Sequence, residues 1–128
     1  MISNALDYAK WLKALINMSL PISKSGYKAL RTSRSFVEQG DSTPFTGPQT
    51  YSLGWFSSIY RDHVYFTHSG GLEAFGAEVI FFPSLKYGVV MFGNSGLTSN
   101  CAQLKLMWYL IDERLNVPEN DRFDWNKK

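Results

Sequence analysis

The fold is decided between residues 51 and 93, which read YSLGWFSSIYRDHVYFTHSGGLEAFGAEVIFFPSLKYGVVMFG. Runs of aromatic and β-branched residues alternate here with short polar turns, which predicts β-strands at residues 51–60, 64–68, 77–82 and 88–93. The pair Gly70–Gly71 is predicted to end the second strand. Because the connections are too short for a parallel crossover, consecutive strands are predicted to pair antiparallel.

Helical periodicity flanks this region on both sides. Apolar residues at three- and four-residue steps predict helices at residues 4–17 and 99–116, and a shorter helix is predicted at 23–31. Residues 32–49 are predicted to be a long loop, and residues 119–128 a polar tail. The chain is therefore expected to form one α+β domain over residues 1–128, an antiparallel sheet with flanking helices.

The amino-acid composition excludes several classes of protein for this chain. A hydrophobic fraction of 45% and an aromatic fraction of 16% exclude intrinsic disorder for this chain of 128 residues. The net charge is +2 and the charges are scattered, so no basic patch indicates a nucleic-acid partner. Cys101 is the single cysteine, which excludes an intrachain disulfide and a cysteine-based metal cluster. Neither a metal nor another cofactor is expected.

No targeting segment is predicted. Asp7, Lys10 and Lys13 interrupt the first twenty residues, so these do not form the apolar core of a signal peptide. No apolar run approaches the roughly 20 residues that a membrane-spanning helix needs. No membrane association is expected, and the location is predicted to be cytoplasmic by default.

Two serines could be read as nucleophiles from local patterns. Ser95 lies in Gly-Asn-Ser-Gly-Leu, but the nucleophile elbow requires glycine where Leu97 stands, and we interpret Ser95 as a turn residue. Ser25 and Lys28 satisfy Ser-x-x-Lys, in which a lysine can act as the base of the serine. Two common residues three apart arise often by chance, so we interpret this pattern as a coincidence.

The two histidines are five residues apart. An odd spacing along a strand places side chains on opposite faces, so His63 and His68 are not expected to share a metal. His63 is predicted to be an exposed turn residue. His68 is the more interesting one, because it precedes Ser69, Gly70 and Gly71 at a predicted strand end.

Four segments together resemble a known family in their order and spacing. They are Ser3-Asn4-Ala5-Leu6-Asp7-Tyr8-Ala9-Lys10-Trp11-Leu12, Tyr51-Ser52-Leu53-Gly54-Trp55, His68-Ser69-Gly70-Gly71-Leu72 and Gly88-Val89-Val90-Met91-Phe92-Gly93-Asn94-Ser95. From about residue 2 to 117 the chain resembles the C-terminal part of the beta-lactamase-related serine hydrolases. That family includes class C beta-lactamases, D-amino-acid-specific peptidases, penicillin-binding-protein-like carboxypeptidases and beta-lactamase-fold esterases.

The resemblance implies a site on the second predicted strand. Enzymes of the family acylate the serine of Ser-x-x-Lys, assisted by Tyr-x-Asn or Ser-x-Asn, beside an edge strand that carries Lys-Thr-Gly or His-x-Gly. His68-Ser69-Gly70 would be that third motif, with His68 binding a substrate carboxylate or assisting proton transfer and Ser69 adding a hydroxyl contact. The Gly71 N–H would be one of two oxyanion-hole donors, which elsewhere contribute about 3–4 kcal/mol each to barrier lowering.

The other two motifs of the family are not matched. The family's Ser-x-x-Lys lies well before the segment that matches residues 3–15, and no tyrosine of this chain begins Tyr-x-Asn. The chain is therefore expected to be a C-terminal fragment or truncated product, inactive alone. In the family, N-terminal strands and a helix beside the C-terminal helix complete the fold. Without them Leu104, Trp108, Ile111 and one sheet edge are expected to lie less covered, which favours self-association or marginal stability.

Three interpretations remain open. The first is an inactive piece of a hydrolase that transfers or hydrolyses acyl groups of amides or esters. The second is a non-catalytic module that binds a partner or a small molecule. The third is a half-enzyme whose N-terminal half comes from another chain, and a neighbouring reading frame with the two other motifs would favour it. The substrate class (beta-lactam, D-amino-acid peptide or ester) is not predicted.

Overall fold

The computed structural model describes residues 2–38 and 43–125. Within them a six-stranded antiparallel sheet lies between helices. The helices are α1 (Ala5–Ile16), α2 (Lys24–Arg31) and α3 (Leu97–Arg114), and the strands are β1 (Ser35–Phe36), β2 (Thr50–Tyr51), β3 (Phe56–Tyr60), β4 (His63–Leu72), β5 (Phe75–Phe82) and β6 (Tyr87–Gly93). The strands follow in chain order across the sheet, so the predicted α+β class and the antiparallel pairing are confirmed.

Helices cover both faces of the sheet. Because side chains alternate along a strand, Ile80 and Phe82 of β5 face α3 while Phe81 faces α1 and α2. The core on the α3 side contains Tyr60, Tyr65, Ile80, Phe82, Val89, Met107, Trp108 and Ile111. The core on the other side contains Leu12, Leu15, Tyr27, Trp55, Phe66 and Phe81. Strand β5 is therefore buried on both faces, which fixes its register.

Helix α1 begins where the sequence predicts. The Asn4 side chain accepts a hydrogen bond from the backbone N–H of Asp7 at 3.0 Å, which caps the helix. Leu12 and Leu15 form its buried face against the sheet.

The strand predicted at residues 51–60 is interrupted. Residues 52–55 form a tight turn, in which Gly54 has a φ of +79° that favours glycine. The Ser52 N–H donates to the Trp55 carbonyl at 2.8 Å, and the turn buries the Trp55 ring against Phe81. Two short strands, β2 and β3, therefore replace the single predicted strand.

The prediction that Gly70–Gly71 ends a strand is wrong. Strand β4 continues to Leu72, and Gly70 and Gly71 pair with Ala77 and Gly76 of β5. The reversal occurs at residues 73–74, where Glu73 adopts a φ of +51°. Glycine commonly interrupts a strand, but here the pairing between β4 and β5 continues through both glycines.

Three further predictions differ from the structure. His63 is the first residue of β4 rather than a turn residue, because Arg61 and Asp62, with φ of 47° and 65°, complete the turn. The predicted loop at 32–49 contains β1, and residues 39–42 lie outside the described residues. The polar tail contains a short 3-10 helix at Glu119–Asp121.

Helix α3 lies closely on the sheet. Trp108 and Ile111 are buried and Leu104 is partly buried, and the large apolar side chains that are exposed in the described part of this helix are Leu106 and Tyr109. Strand β6 pairs with β5 alone among the described strands, which leaves one long edge of the sheet without a partner. None of the described helices combines the length and the apolar character needed to cross a membrane.

A buried polar pair links α3 to the sheet. The Tyr60 hydroxyl donates a hydrogen bond to the Asp112 carboxylate, and both residues are buried. Burial and this acceptor raise the pKa of Tyr60 to about 12, so its hydroxyl stays protonated and remains a donor. The pair links the last turn of α3 to the end of β3.

We expect Tyr60→Phe to lower the free energy of unfolding by about 2 kcal/mol, because a buried carboxylate loses its donor. Urea denaturation at pH 7 measures the change. Tyr8→Phe is the matched control, since no hydrogen bond of the Tyr8 hydroxyl is found among the described residues, and it should cost much less. Equal losses in the two variants would contradict this role of the Tyr60–Asp112 pair.

Candidate active site

The site predicted from the sequence lies on an open stretch of β4. Strand β3 begins at Phe56, which pairs with Thr67, so no described strand lies beside residues 68–72 on that side. On the other side β4 pairs with β5 as far as Leu72 and Phe75. One edge of residues 68–72 is therefore accessible to an extended chain.

The register decides which backbone groups point to the open edge. Leu72 and Phe75 close a two-residue turn and therefore form a hydrogen-bonded pair, after which bonded and non-bonded pairs alternate. Ser69 and Gly71 fall in non-bonded pairs, so their N–H and C=O groups point away from β5. The Gly71 N–H is thus directed to the edge where the resemblance places an oxyanion donor.

His68 lies over this edge in a defined orientation. Its Nδ1 lies 2.6 Å from the Ser69 carbonyl oxygen, and its Nε2 lies 3.3 Å from the Tyr51 hydroxyl. A carbonyl only accepts, so Nδ1–H is the donor, and the neutral ring then accepts from Tyr51 through Nε2. The rings of Phe56 and Tyr51 pack beside the imidazole, with centroids 5.5 Å and 6.1 Å away.

A side chain of α3 holds the peptide unit that contains the Gly71 N–H. The Asn100 Nδ2 donates to the Gly70 carbonyl at 3.2 Å. That carbonyl and the Gly71 N–H belong to one planar peptide unit, so the bond limits the rotation of the N–H. Gly76 leaves the room for Asn100, because a Cβ at Gly76 would lie only 1.7 Å from the Asn100 Oδ1.

Behind the edge, Glu78 is a buried acid. It pairs with Ser69 across β4 and β5, on the face that is covered by α3, and its exposed fraction is 6%. Burial alone raises the pKa of its carboxyl to about 7. It lines a cavity of about 340 Å³ together with Thr67 and Ser69.

The other predicted candidates lie apart from this edge or in local turns. Ser25 and Lys28 are exposed on α2, and the Ser25 hydroxyl lies 2.9 Å from the Ser23 hydroxyl. Ser95 is exposed in the turn before α3, where its carbonyl accepts from Thr98. His63 lies against Ser84, at 3.0 Å between Nδ1 and Oγ. No cluster of potential metal ligands is found among the described residues.

The residues that sequence reasoning missed are Tyr51, Asn100 and Glu78. Tyr51 and Asn100 reach the edge from 17 and 30 residues away, and no local pattern signals such contacts. For Glu78 a signal existed, because the strand at 77–82 carries apolar residues at both alternating sets of positions. Such a strand is buried on both faces of the sheet, so an acidic side chain within it points into a buried layer on either face.

Comparison with known proteins gives a consistent result. A profile of the Beta-lactamase family matches residues 1–109. The protein named Unguisins hydrolase ungD of Aspergillus violaceofuscus (strain CBS 115571) is 41% identical over 142 aligned positions, which cover 100% of this chain and 25% of that protein. Unguisins hydrolase ungD' of Aspergillus campestris (strain IBT 28561) is 39% identical over 127 positions, covering 98% of this chain and 23% of that protein.

The chain thus spans about a quarter of the length of these curated relatives. No solved structure matches it significantly.

The Glu78 carboxyl makes stability depend on pH. Unfolded, it ionises near 4.5, whereas folded it ionises near 7, so between these values the folded state keeps a proton that the unfolded state has lost. Stability conferred by this proton is complete below pH 4.5 and is lost as the pH rises through 7. We expect Glu78→Gln to be more stable than the wild type by about 3 kcal/mol at pH 8 and nearly equal at pH 4.5.

Denaturant unfolding of both proteins across this range measures the difference. Glu73→Gln removes the same charge from the exposed hairpin turn and should show no such pH dependence. A constant difference between Glu78→Gln and the wild type from pH 4.5 to 8 would contradict the burial of an unpaired carboxyl.

Proposed function

This chain belongs to the beta-lactamase family, and from that premise we propose that it is the substrate-binding, C-terminal segment of a serine hydrolase. The reaction is hydrolysis of an amide or ester acyl group. The observation that carries the proposal is the open edge of β4, where His68-Ser69-Gly70 ends beside the outward N–H of Gly71. Two relatives named as hydrolases support it.

The edge binds the substrate through its main chain. An extended acyl substrate lies along residues 69–71 and pairs with the outward N–H and C=O groups, as a strand added to the sheet. Its carbonyl oxygen then lies against the Gly71 N–H. As a serine hydroxyl attacks, negative charge develops on that oxygen, and a donor already aimed at it stabilises the charge without reorganisation.

His68 and Ser69 orient the substrate. The proton on Nδ1 is held by the Ser69 carbonyl, so Nε2 is the nitrogen that changes partner. When protonated, Nε2 donates to a substrate carboxylate; when neutral, it accepts a proton. The Ser69 side chain is exposed and offers a hydroxyl donor on the opposite face of the strand.

The attacking serine is proposed to come from outside residues 1–128. Ser25 lies on the exposed face of α2, and its hydroxyl contacts the Ser23 hydroxyl and not Lys28. The chain spans about a quarter of its relatives, which leaves ample length for the nucleophile and its base. The free edge of β6 offers strand pairing to that remaining portion, or to a second copy in self-association.

The names of the relatives indicate the substrate. Both are named unguisins hydrolases, so an unguisin is the proposed substrate of the complete protein. The exposed Leu72 and Phe75 at the hairpin end present apolar surface beside the binding edge, and apolar substituents of such a substrate would contact them.

The purified 128-residue chain is expected to show no turnover of a chromogenic ester or beta-lactam and no labelling by a fluorophosphonate. The reason is that an oxyanion donor without an activated nucleophile has no charge to stabilise. Labelling that Ser25→Ala abolishes would overturn the assignment of the nucleophile to another segment.

A chimera tests the role of Gly71. This chain would replace the matching quarter of Unguisins hydrolase ungD, and unguisin hydrolysis would be followed. Gly71→Pro removes the N–H and should lower kcat by about 10²–10³-fold, while Gly70→Ala keeps every N–H and places its methyl in ordinary van der Waals contact with the Ala77 Cβ at 3.9 Å. Equal activity of the two variants would contradict the proposal.

A further inference from the structure

The cavity behind the substrate edge combines aromatic walls with a single buried acid. It lies between α3, the sheet and residues 43–49, and its volume is about 340 Å³. The aromatic residues that line it are Phe45, Phe56, Tyr65, Trp108 and Trp125. This volume is at the small end of the range for ligand pockets, about 300–1,000 Å³, and suits a ligand with one ring.

Glu78 has no partner for its charge within the described part of the chain. Its exposed fraction is 6%, and neither of two salt bridges among the described residues, Asp7 with Lys10 and Glu113 with Arg122, involves it. Burial is the cause of its raised pKa. An unpaired carboxylate in such a place costs free energy that a bound cation would recover.

We propose that this cavity binds a small organic ammonium, a primary amine carried on a single aromatic ring, with its charged head on Glu78. The ammonium supplies three N–H donors to the carboxylate. The aromatic faces attract the cation and pack against the ring of the ligand. Thr67 and Ser69, which also line the cavity, offer hydroxyl acceptors near Glu78.

The described residues that face Glu78 add no competing charge. From β4 the facing residues are Tyr65, Thr67 and Ser69, from β6 Met91, and from α3 Leu104, Met107 and Trp108. Of these only Tyr65 ionises, and burial raises its pKa, so it stays neutral. The pH dependence of binding therefore reports the Glu78 carboxyl.

The probe is 2-phenylethylammonium, titrated into the 128-residue chain by calorimetry, with shifts of the Trp108 and Trp125 indole N–H signals locating the site. We expect binding at pH 8 that weakens at least tenfold at pH 5, where Glu78 is protonated and the amine keeps its charge. The neutral analogue 2-phenylethanol should bind at least tenfold more weakly at pH 8.

Glu78→Gln should weaken binding of the amine at least tenfold and abolish its pH dependence, whereas Glu73→Gln should bind as the wild type does. Glu78→Gln replaces an unpaired buried carboxyl with a neutral isostere, so the variant is expected to fold. Equal affinity for amine and alcohol, unchanged binding in Glu78→Gln, or no binding at millimolar amine would each overturn the proposal. The binding measurements do not depend on hydrolytic activity, so they are separate from the test of the proposed function.

Discussion

The site depends on one constraint: the two strands beside β4 pair with different lengths of it. Strand β4 pairs with β5 up to Leu72 but with β3 only up to Thr67, because β3 begins at Phe56 after the turn at residues 52–55. Every second residue beyond Thr67 then directs its N–H and C=O to an unoccupied edge. The same register places Ser69 beside Glu78, so the edge and the buried acid behind it have a common origin.

Packing between α3 and the sheet makes this edge rigid. Asn100 reaches the Gly70 carbonyl only because Gly76 has no side chain, and a Cβ at Gly93 would likewise meet the Ser99 Cβ at 2.5 Å. Glycines therefore let the first turn of α3 approach the backbone of β4–β6 closely. The Tyr60–Asp112 pair holds the same helix over β3. A helix fixed at both points positions a peptide unit more firmly than a loop could.

The sequence alone predicted the strands best where apolar, β-prone residues form a nearly continuous run, as at residues 77–82, and failed where a turn interrupts or follows such a run. Gly70–Gly71 was read as a break, but the chain reverses at Glu73, whose left-handed φ of +51° is set by the hairpin and not by its residue type. His68 to Gly71 came from the family resemblance, whose family is confirmed, and their roles stay a prediction. Tyr51 and Asn100 could not be predicted, because their contacts span 17 and 30 residues and depend on the tertiary packing.

Amide hydrogen exchange of residues 68–71, followed by NMR on the 128-residue chain, tests the open edge most directly. The register predicts alternating protection. The N–H groups of His68 and Gly70, which pair with β5, should exchange slowly, and those of Ser69 and Gly71 should exchange close to the unprotected rate. Uniform protection of all four residues, or slow exchange at Ser69 and Gly71 with fast exchange at His68 and Gly70, would contradict the account.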